Sequence, residues 1–286
     1  MKKLIVSLLP LLAIFGCSKE VEPLKLEVVS FNIRYDNPDD SLNVWSNRKE
    51  AAANTLLFLS PDVIGTQEVL SNQLSDMKSL MPEYESVGVG REDGKTKGEY
   101  SAILYKKDRF NLISSGTFWL SENPEAVGKK GWDAACERVV TWAKFQDKKT
   151  NKSFVAFNTH FDHRGKIARK ESVALLLNRM DSIANGEAAF VTGDFNSDPN
   201  SSVIKSITSS ENPISLRDSR SIASVVAGPA WTFHDFGELP MQYRELIDFV
   251  FVNKKINVDD YAVINGQIDS LFISDHNPVA VKLSFN

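Results

Sequence analysis

Apolar and polar residues alternate with period two over most of the chain, with two interruptions at helical spacing. Residues 24–34 alternate and predict a strand, and residues 45–59 carry apolar positions at helical intervals up to Ser60-Pro61, where a helix must stop. Further strands are predicted at residues 62–67, 83–88 and 100–105, the last two flanking a Gly/Lys-rich loop at 90–98. Strands at 110–120 and 138–145 enclose a polar loop at 121–135. The run Asp147-Lys148-Lys149-Thr150-Asn151-Lys152 is a hairpin turn before a strand at 153–160. A second amphipathic helix follows at 165–183. Strands at 188–192, 246–252 and 279–285 complete the pattern. Many hairpin-like strands with few helices between them predict mixed or antiparallel sheets covered by helices; a purely parallel doubly wound sheet fits less well. No internal repeat or linker divides the chain after Pro23, so residues 24–286 are expected to form one domain.

The first residues follow a different pattern. Met1-Lys2-Lys3 is basic, and residues 4–16 are apolar, interrupted by Pro10. That run is too short to span a bilayer as a helix and suits the core of a signal peptide. It ends at Ile14-Phe15-Gly16-Cys17, which resembles the lipobox of bacterial lipoproteins. The expectation is a signal peptide at 1–16, acylation of Cys17, a short tether at 17–23, and an exported, membrane-anchored lipoprotein facing the periplasm or the cell surface. The chain has 2 cysteines, Cys17 and Cys136; with Cys17 acylated no disulfide framework is possible. Stability must then come from a core, which a hydrophobic content of 42% can supply. A formal net charge of -4 leaves no broad basic footprint and argues against non-specific nucleic-acid binding, which relies on neutralising phosphates.

Candidate chemistry gathers at strand ends. Asn32 follows Val28-Val29. Gln67 and Glu68 follow Val63-Ile64. Asn158 and His160 close 154–157. Asp194 and Asn196 follow Phe190-Val191. Asp275, His276 and Asn277 stand just before the last strand. Asp248 is the most demanding: alternation puts it with Leu246 and Val250, while Ile247, Phe249 and Phe251 take the other face. An unpaired carboxylate between two apolar faces would cost several kcal/mol, so Asp248 needs a cation or a hydrogen-bonding partner. A histidine is the natural partner, and the chain has 4: His160, His163, His234 and His276. Carboxylates and amides are hard ligands suited to Mg²⁺, Mn²⁺ or Ca²⁺. There is no zinc-spaced histidine pair, no phosphate loop, no Gly-rich nucleotide fingerprint and no nucleophile elbow. Water activated by a base beside a metal ion remains, and phosphoester hydrolysis is the reaction class that fits.

The motifs resemble the endonuclease/exonuclease/phosphatase (DNase I-like) superfamily, in the family's order and from Leu26 to Leu283. Gly193-Asp194-Phe195-Asn196 and Ser274-Asp275-His276 are specific in combination. The resemblance implies an α/β (α+β) four-layer sandwich of two mixed β-sheets packed face to face with helices outside. It implies a metal-dependent phosphoesterase using Mg²⁺ or Mn²⁺, with one metal site around Glu68 completed by Asn32 and Asp275. His276 would activate water, oriented by Asp248. Asp194 and Asn196 would hold the attacking water, and Asn32, Arg34, Arg138 and His160 would bind phosphate. Glu99 stands where such members place a carboxylate that orients a histidine. Arg34 stands where exonuclease III-type members often carry a second acidic ligand. The substrate would be a nucleic acid, phospholipid or inositol phosphate, the membrane would be met through the lipid anchor only, and the protein is expected to be a monomer. The competing reading is a non-catalytic cell-surface binding lipoprotein on the same fold, which intact catalytic positions argue against. Arg91, Lys95 and Lys97 are candidates to touch an anionic substrate. Of Trp119, Trp132, Trp231 and Phe233, two are expected in the core and two along a cleft. His163 and His234 are expected to be peripheral.

Overall fold

In the computed structural model, which describes residues 22–268 and 270–286, the alternating segments become two sheets. In chain order the strands are β1 (Leu24–Asn32), β2 (Val63–Val69), β3 (Tyr84–Val87), β4 (Tyr100–Lys106), β5 (Phe110–Trp119), β6 (Val139–Asp147), β7 (Ser153–His160) and β8 (Ala188–Asp194). After these come β9 (Leu216–Asp218), β10 (Val225–Ala227), β11 (Asp248–Asn253), β12 (Asn257–Val263), β13 (Gln267–Ile268), β14 (Leu271–Phe272) and β15 (Val279–Phe285). The helices are α1 (Trp45–Leu59), α2 (Ser71–Leu80), α3 (Lys166–Ala184), α4 (Ser202–Ile207) and α5 (Ser219–Ile222). The expected signal segment 1–16 and Cys17 lie outside the described residues, as does most of the expected tether at 17–23.

One sheet runs β10-β12-β15-β1-β2-β4-β3 and the other β5-β6-β7-β8-β11-β9. Each has a parallel pair near its centre, β1 with β2 and β7 with β8, flanked by antiparallel ladders. The inner faces meet directly: β1 packs on β8 and β11, β2 on β7 and β8, and β4 on β6 and β7. Helix α1 covers the outer face of the first sheet through Trp45, Ala52, Ala53 and Leu56, and α2 adds Met77. Helix α3 lies on β7 and β8, with α4 beyond it. The result is the four-layer mixed sandwich that the alternation and the motifs predicted.

Helix ends follow local chemistry. Helix α1 closes on Ser60 in the left-handed region (φ 48°) before Pro61, the arrangement that ends a helix where the next residue cannot continue it. The N-terminus of α3 is capped from a distance: Asp133, in the polar loop, accepts from Ile167 N–H (3.2 Å) and Ala168 N–H (2.7 Å).

The sequence pattern did not reveal α2 or β12. Helix α2 is ten residues long and carries few apolar side chains. Gln73 holds its start, accepting from Leu70 N–H (3.0 Å) and Asp36 N–H (3.0 Å) and donating to Arg34 O (2.8 Å). Strand β12 buries Val258, Tyr261 and Val263. A bulge between Val258 and Asp260 shifts its phase, so strict alternation fails within the strand.

The two sheets are joined by one buried amide. Asn158 Nδ2 donates to Thr66 O (2.8 Å) and Ala102 O (2.9 Å) of the opposite sheet. Its Oδ1 accepts from Gln67 Nε2 (2.7 Å) and Thr192 Oγ1 (3.0 Å). The approach requires a glycine: a Cβ on Gly65 would lie 1.9 Å from Thr192 Oγ1 and 2.7 Å from Asn158 Oδ1. Removing the amide takes one donor each from the Thr66 and Ala102 carbonyls and the nearest acceptor from Gln67 Nε2, which keeps only 3.3 Å contacts to Ser30 Oγ and Gly65 O. Asn158→Ala is therefore expected to destabilise the fold by about 3 kcal/mol, lowering the melting temperature by roughly 5–10 °C. A calorimetric shift below about 2 °C would show that the sheets pack without this join.

Candidate active site

Asn32 ends β1, His160 ends β7 and Asp194 ends β8, while Asp248 begins antiparallel β11. Parallel and antiparallel ladders thus bring these residues to one edge of the sandwich. His160 is directly across from Asp194, and Asp194 from Asp248. The first sheet adds Glu68 from β2 and the loop Ser274-Asp275-His276 that enters β15. This loop is pinned to β1 by Ser274 Oγ, which donates to Asn32 O (2.7 Å).

The side chains converge on a cavity of about 530 Å³ lined by residues of both sheets. Asp248 Oδ2 accepts from His276 Nδ1 at 2.7 Å, turning Nε2 toward Asp194 Oδ2, 3.8 Å away. Asp194 Oδ2 also accepts from Asn32 Nδ2 (3.0 Å) and lies 3.5 Å from His160 Nε2. Asn196 Nδ2 lies 3.0 Å from His160 Nε2 and donates to Phe161 O (3.0 Å). Glu68 accepts from Asn32 Nδ2 (3.1 Å) and Tyr35 N–H (3.1 Å). Arg34 pairs with Asp40 at 2.8 Å and stands 3.7 Å from Asp275. Three of these residues, Arg34 (φ 59°), Glu68 (φ 63°) and Asn196 (φ 46°), hold a left-handed backbone. Such conformations persist where surrounding structure imposes them, and they cluster at functional sites.

Burial and mutual repulsion set the protonation states. Burial, then the charge of Asp248, pushes the Asp194 carboxyl up to about 7. Asp275 is raised to about 6 by burial, with repulsion from Glu68 adding to the effect. Burial opposes the charge on His276, but Asp248, Asp275 and Asp194 together raise it to about 10. Burial, then Arg138, drives His160 well below its ordinary value, so it stays neutral. The Asp194 carboxyl, disfavoured as an anion by burial, thus lies beside an imidazole whose charge three carboxylates favour.

Carboxylates in the cavity could hold a cation. The ligand atoms of Asp194, Asp248 and His276 lie within 4.8 Å of one another. Glu68 and Asp275 line the same cavity, and the charge of Glu68 acts on Asp275. The donors are mainly carboxylate oxygens, and the buried Asp248 Oδ1 has no partner. Such a set fits a hard divalent ion.

Several expectations need correcting. Glu99 does not meet a histidine; both its oxygens are taken by Arg91, at 2.6 and 2.7 Å, and His160 Nδ1 is left without a partner. Asn32 turns its nitrogen toward Glu68 while its oxygen accepts from Arg34 N–H (3.0 Å). In this arrangement Asn32 Nδ2 bridges Glu68 and Asp194. His163 is not peripheral. It lines the cavity with Arg138, whose Nη2 lies 3.1 Å from His163 Nδ1. Lys95 and Lys97 are exposed and do not line the cavity. Trp119 is buried, Phe233 lines the cavity, and Trp231 lines a neighbouring one, where it stacks under Arg244.

Two residues that the motifs did not point to hold the cavity in shape. Arg48, fully buried in α1, donates to Ile33 O (2.8 Å) and Ile273 O (2.8 Å), tying the end of β1 to the histidine loop. Its place on the apolar stripe of α1, three residues after Trp45, was the available signal. Asp162 accepts backbone N–H bonds from Ala135 (3.0 Å), Cys136 (3.2 Å), Arg164 (2.9 Å) and Gly165 (2.6 Å). It thereby fixes the loop that presents Arg138.

Residues 29–276 match the model of the Endonuclease/Exonuclease/phosphatase family. A Bacteroides vulgatus structure of that description is 43% identical, with TM-score 0.89, and the match covers 92% of this chain and 100% of that one. The mannosyl-6-phosphatase of Bacteroides thetaiotaomicron VPI-5482 is 37% identical, with TM-score 0.85, and covers 91% and 100%. Drosophila melanogaster protein angel is 27% identical over 175 residues, 56% of this chain. The chain spans between 31% and 61% of the length of the curated relatives it matches.

The backbone bonds to Asp162 have a pH signature. Burial would raise its pKa, but the N–H groups of Gly165, Arg164 and Ala135 hold it well below the ordinary 3.8. A depressed carboxylate contributes stability above its unfolded pKa and loses it as pH falls through the folded value. Asp162→Asn is expected to cost about 2 kcal/mol at pH 7. The gap in melting temperature from wild type should close progressively below about pH 4. A gap that stays constant from pH 7 to pH 3 would contradict the assignment.

Proposed function

Because the chain belongs to the Endonuclease/Exonuclease/phosphatase family, we propose that it is a phosphoesterase that uses Mg²⁺ or Mn²⁺ and acts on a small phosphorylated sugar. The observation that carries the phosphoesterase reading is the convergence of Asp194, His160, Asn196 and the His276–Asp248 pair with Glu68 and Asp275 in one cavity. The cavity wall supports the substrate class. Beyond the carboxylates it presents the Arg91–Glu99 pair, Arg138 and His163, which are charges of both signs suited to hydroxyl groups. A basic groove for a polyanion would need one sign of charge along its length. The relative described as a mannosyl-6-phosphatase, matched along its whole length, supports the same class.

In this reading a phosphate enters beside Asn196 and His160 and meets the Arg138 Nη1 donor, which is buried and has no protein partner. Glu68 and Asp275 would hold the cation, which would polarise a phosphate oxygen and offset its charge. Asp194 Oδ2 receives the proton of the attacking water. Asp248 keeps His276 Nδ1 occupied, so that Nε2–H points into the cavity and stabilises the charge that develops there. Asn32 keeps Glu68 and Asp194 apart by donating to both.

The test is hydrolysis of a panel containing hexose 6-phosphates, inositol phosphate, sphingomyelin, RNA and DNA, with Mg²⁺ or with chelator. A hexose phosphate should turn over fastest, chelator should abolish turnover, and Glu68→Gln should require more Mg²⁺. Asp194→Asn should lower turnover by about 10²–10⁴-fold. Preferred cleavage of nucleic acid, or full rates in chelator, would overturn the reading.

We also propose that the protein is exported and anchored through Cys17, on the strength of the basic start, the short apolar run and the Cys17 context. Cys17→Ala should appear in the soluble fraction or keep its leader. Native protein found soluble and without acyl chains would refute the anchor.

A further inference from the structure

The end of the sandwich opposite the cavity carries a charge pattern that the proposed chemistry does not use. Strand polarity puts three turns there. The β4–β5 turn bears Lys107, the β6–β7 turn bears Lys148, Lys149 and Lys152, and the β11–β12 turn bears Lys254 and Lys255. All but the half-buried Lys152 are exposed. Two of the turns touch: Lys148 Nζ donates to Lys107 O at 2.8 Å. The acids buried beneath them, Asp62 and Asp147, are both paired with Arg109, so they do not offset the lysines outside. Exposed acids nearby include Glu22, Glu27, Glu83, Asp108 and Asp259, while Lys25 adds a further exposed cation.

The described chain also enters at this end. Lys152 Nζ donates to Glu22 O at 2.6 Å, and Glu22, Lys148 and Lys149 border the same surface hollow. Strand β1 starts here and reaches the cavity at Asn32, about 26 Å further on at roughly 3.3 Å per residue. Four residues separate Cys17 from Glu22. Even fully extended, the stretch from Cys17 to Glu22 spans only about 17 Å, so an acylated Cys17 would hold these turns close to the headgroups, within a few Debye lengths. The net charge of -4 for the whole chain disfavours capture of a free polyanion from solution, whereas a short tether keeps an anionic surface within reach of the lysines.

We propose that this lysine face rests on the anionic headgroups of the anchoring bilayer, so that the cavity opens away from the membrane and takes its substrate from the aqueous side. The proposal depends on the anchor at Cys17 and not on the identity of the substrate.

The test uses the full chain in vesicles of phosphatidylcholine alone or with about a third phosphatidylglycerol. Lysine acetylation is read residue by residue by mass spectrometry. Lys107, Lys148, Lys149, Lys254 and Lys255 should react several-fold more slowly on the anionic vesicles, each lysine strengthening contact about five-fold. The protection should vanish at about 1 M salt, where the Debye length falls to about 3 Å. Lys95 and Lys97, near the cavity, should react equally on both vesicles. Lys148→Glu combined with Lys149→Glu, Lys254→Glu and Lys255→Glu should remove the protection and leave hydrolysis of a soluble phosphoester unchanged. Equal labelling on both vesicles, failure of the chain to float with either, or protection by short duplex DNA but not by vesicles would overturn the proposal. No turnover enters the primary readout, so a wrong substrate class would leave this result intact.

Discussion

The amide of Asn158 fixes how the two sheets face each other, and the cavity depends on that arrangement. Apolar faces specify a register less sharply than a hydrogen-bonded amide does, because contacts between Val, Ile and Phe side chains are non-directional. An amide that donates to Thr66 O and Ala102 O while accepting from Gln67 and Thr192 is satisfied in one position only. Gly65 permits it, since any larger residue would occupy the space of the Thr192 hydroxyl. Asn32, Glu68, Asp275 and His276 belong to one sheet and its loops, while His160, Asp194, Asn196 and Asp248 belong to the other. A shift of one strand residue, roughly 3.3 Å, would break the 2.7 Å contact between His276 and Asp248.

Once the sheets are fixed, electrostatics becomes the main difficulty of the cavity. Asp194, Asp248 and Asp275 are all buried at one edge, and burial together with repulsion from neighbouring carboxylates makes the charged forms of Asp194 and Asp275 unfavourable. Buried carboxylates tolerate this only with cations or donors beside them. Arg34 and protonated His276 supply part of that compensation. Arg48 supplies order more than charge: it binds the carbonyls of Ile33 and Ile273, and burial lowers its own pKa to about 10. The left-handed backbone at Arg34, Glu68 and Asn196 belongs to the same balance. Each conformation is unfavourable on its own and is held by the packing around it, which is how a rigid fold keeps reactive groups in place.

The long polar loop before β6 shows the same logic with fewer apolar residues. Asp133 caps α3 and Asp162 gathers four backbone N–H groups. Two carboxylates thus convert an irregular segment into a wall that presents Arg138 and His163 to the cavity. A segment without a periodic apolar face can therefore still be well defined when its backbone donors are satisfied.

Much of this was legible in the sequence. Alternation placed most of the long strands because each buries a face, and helical spacing placed α1 and α3. The polar residues at strand ends marked the cavity because an acid or amide attached to an apolar strand needs a reason to be there. Asp248 between two apolar faces foretold a histidine partner, the motif resemblance named His276 among the four, and the fold brings the two to 2.7 Å. Sequence reasoning stopped where contacts are long-range. Nothing local to Glu99 tells whether it meets Arg91 or a histidine, because its partner depends on where the 90–98 loop folds back. Nothing local to Asn32 tells which end of its amide faces Glu68. The bulge in β12 hides its alternation, and α2 is anchored by the Gln73 amide more than by an apolar stripe. Local pattern determines which face of an element is buried. Which charged group meets which across the two sheets is decided only when tertiary packing closes the distance, because those interactions join residues far apart in the chain.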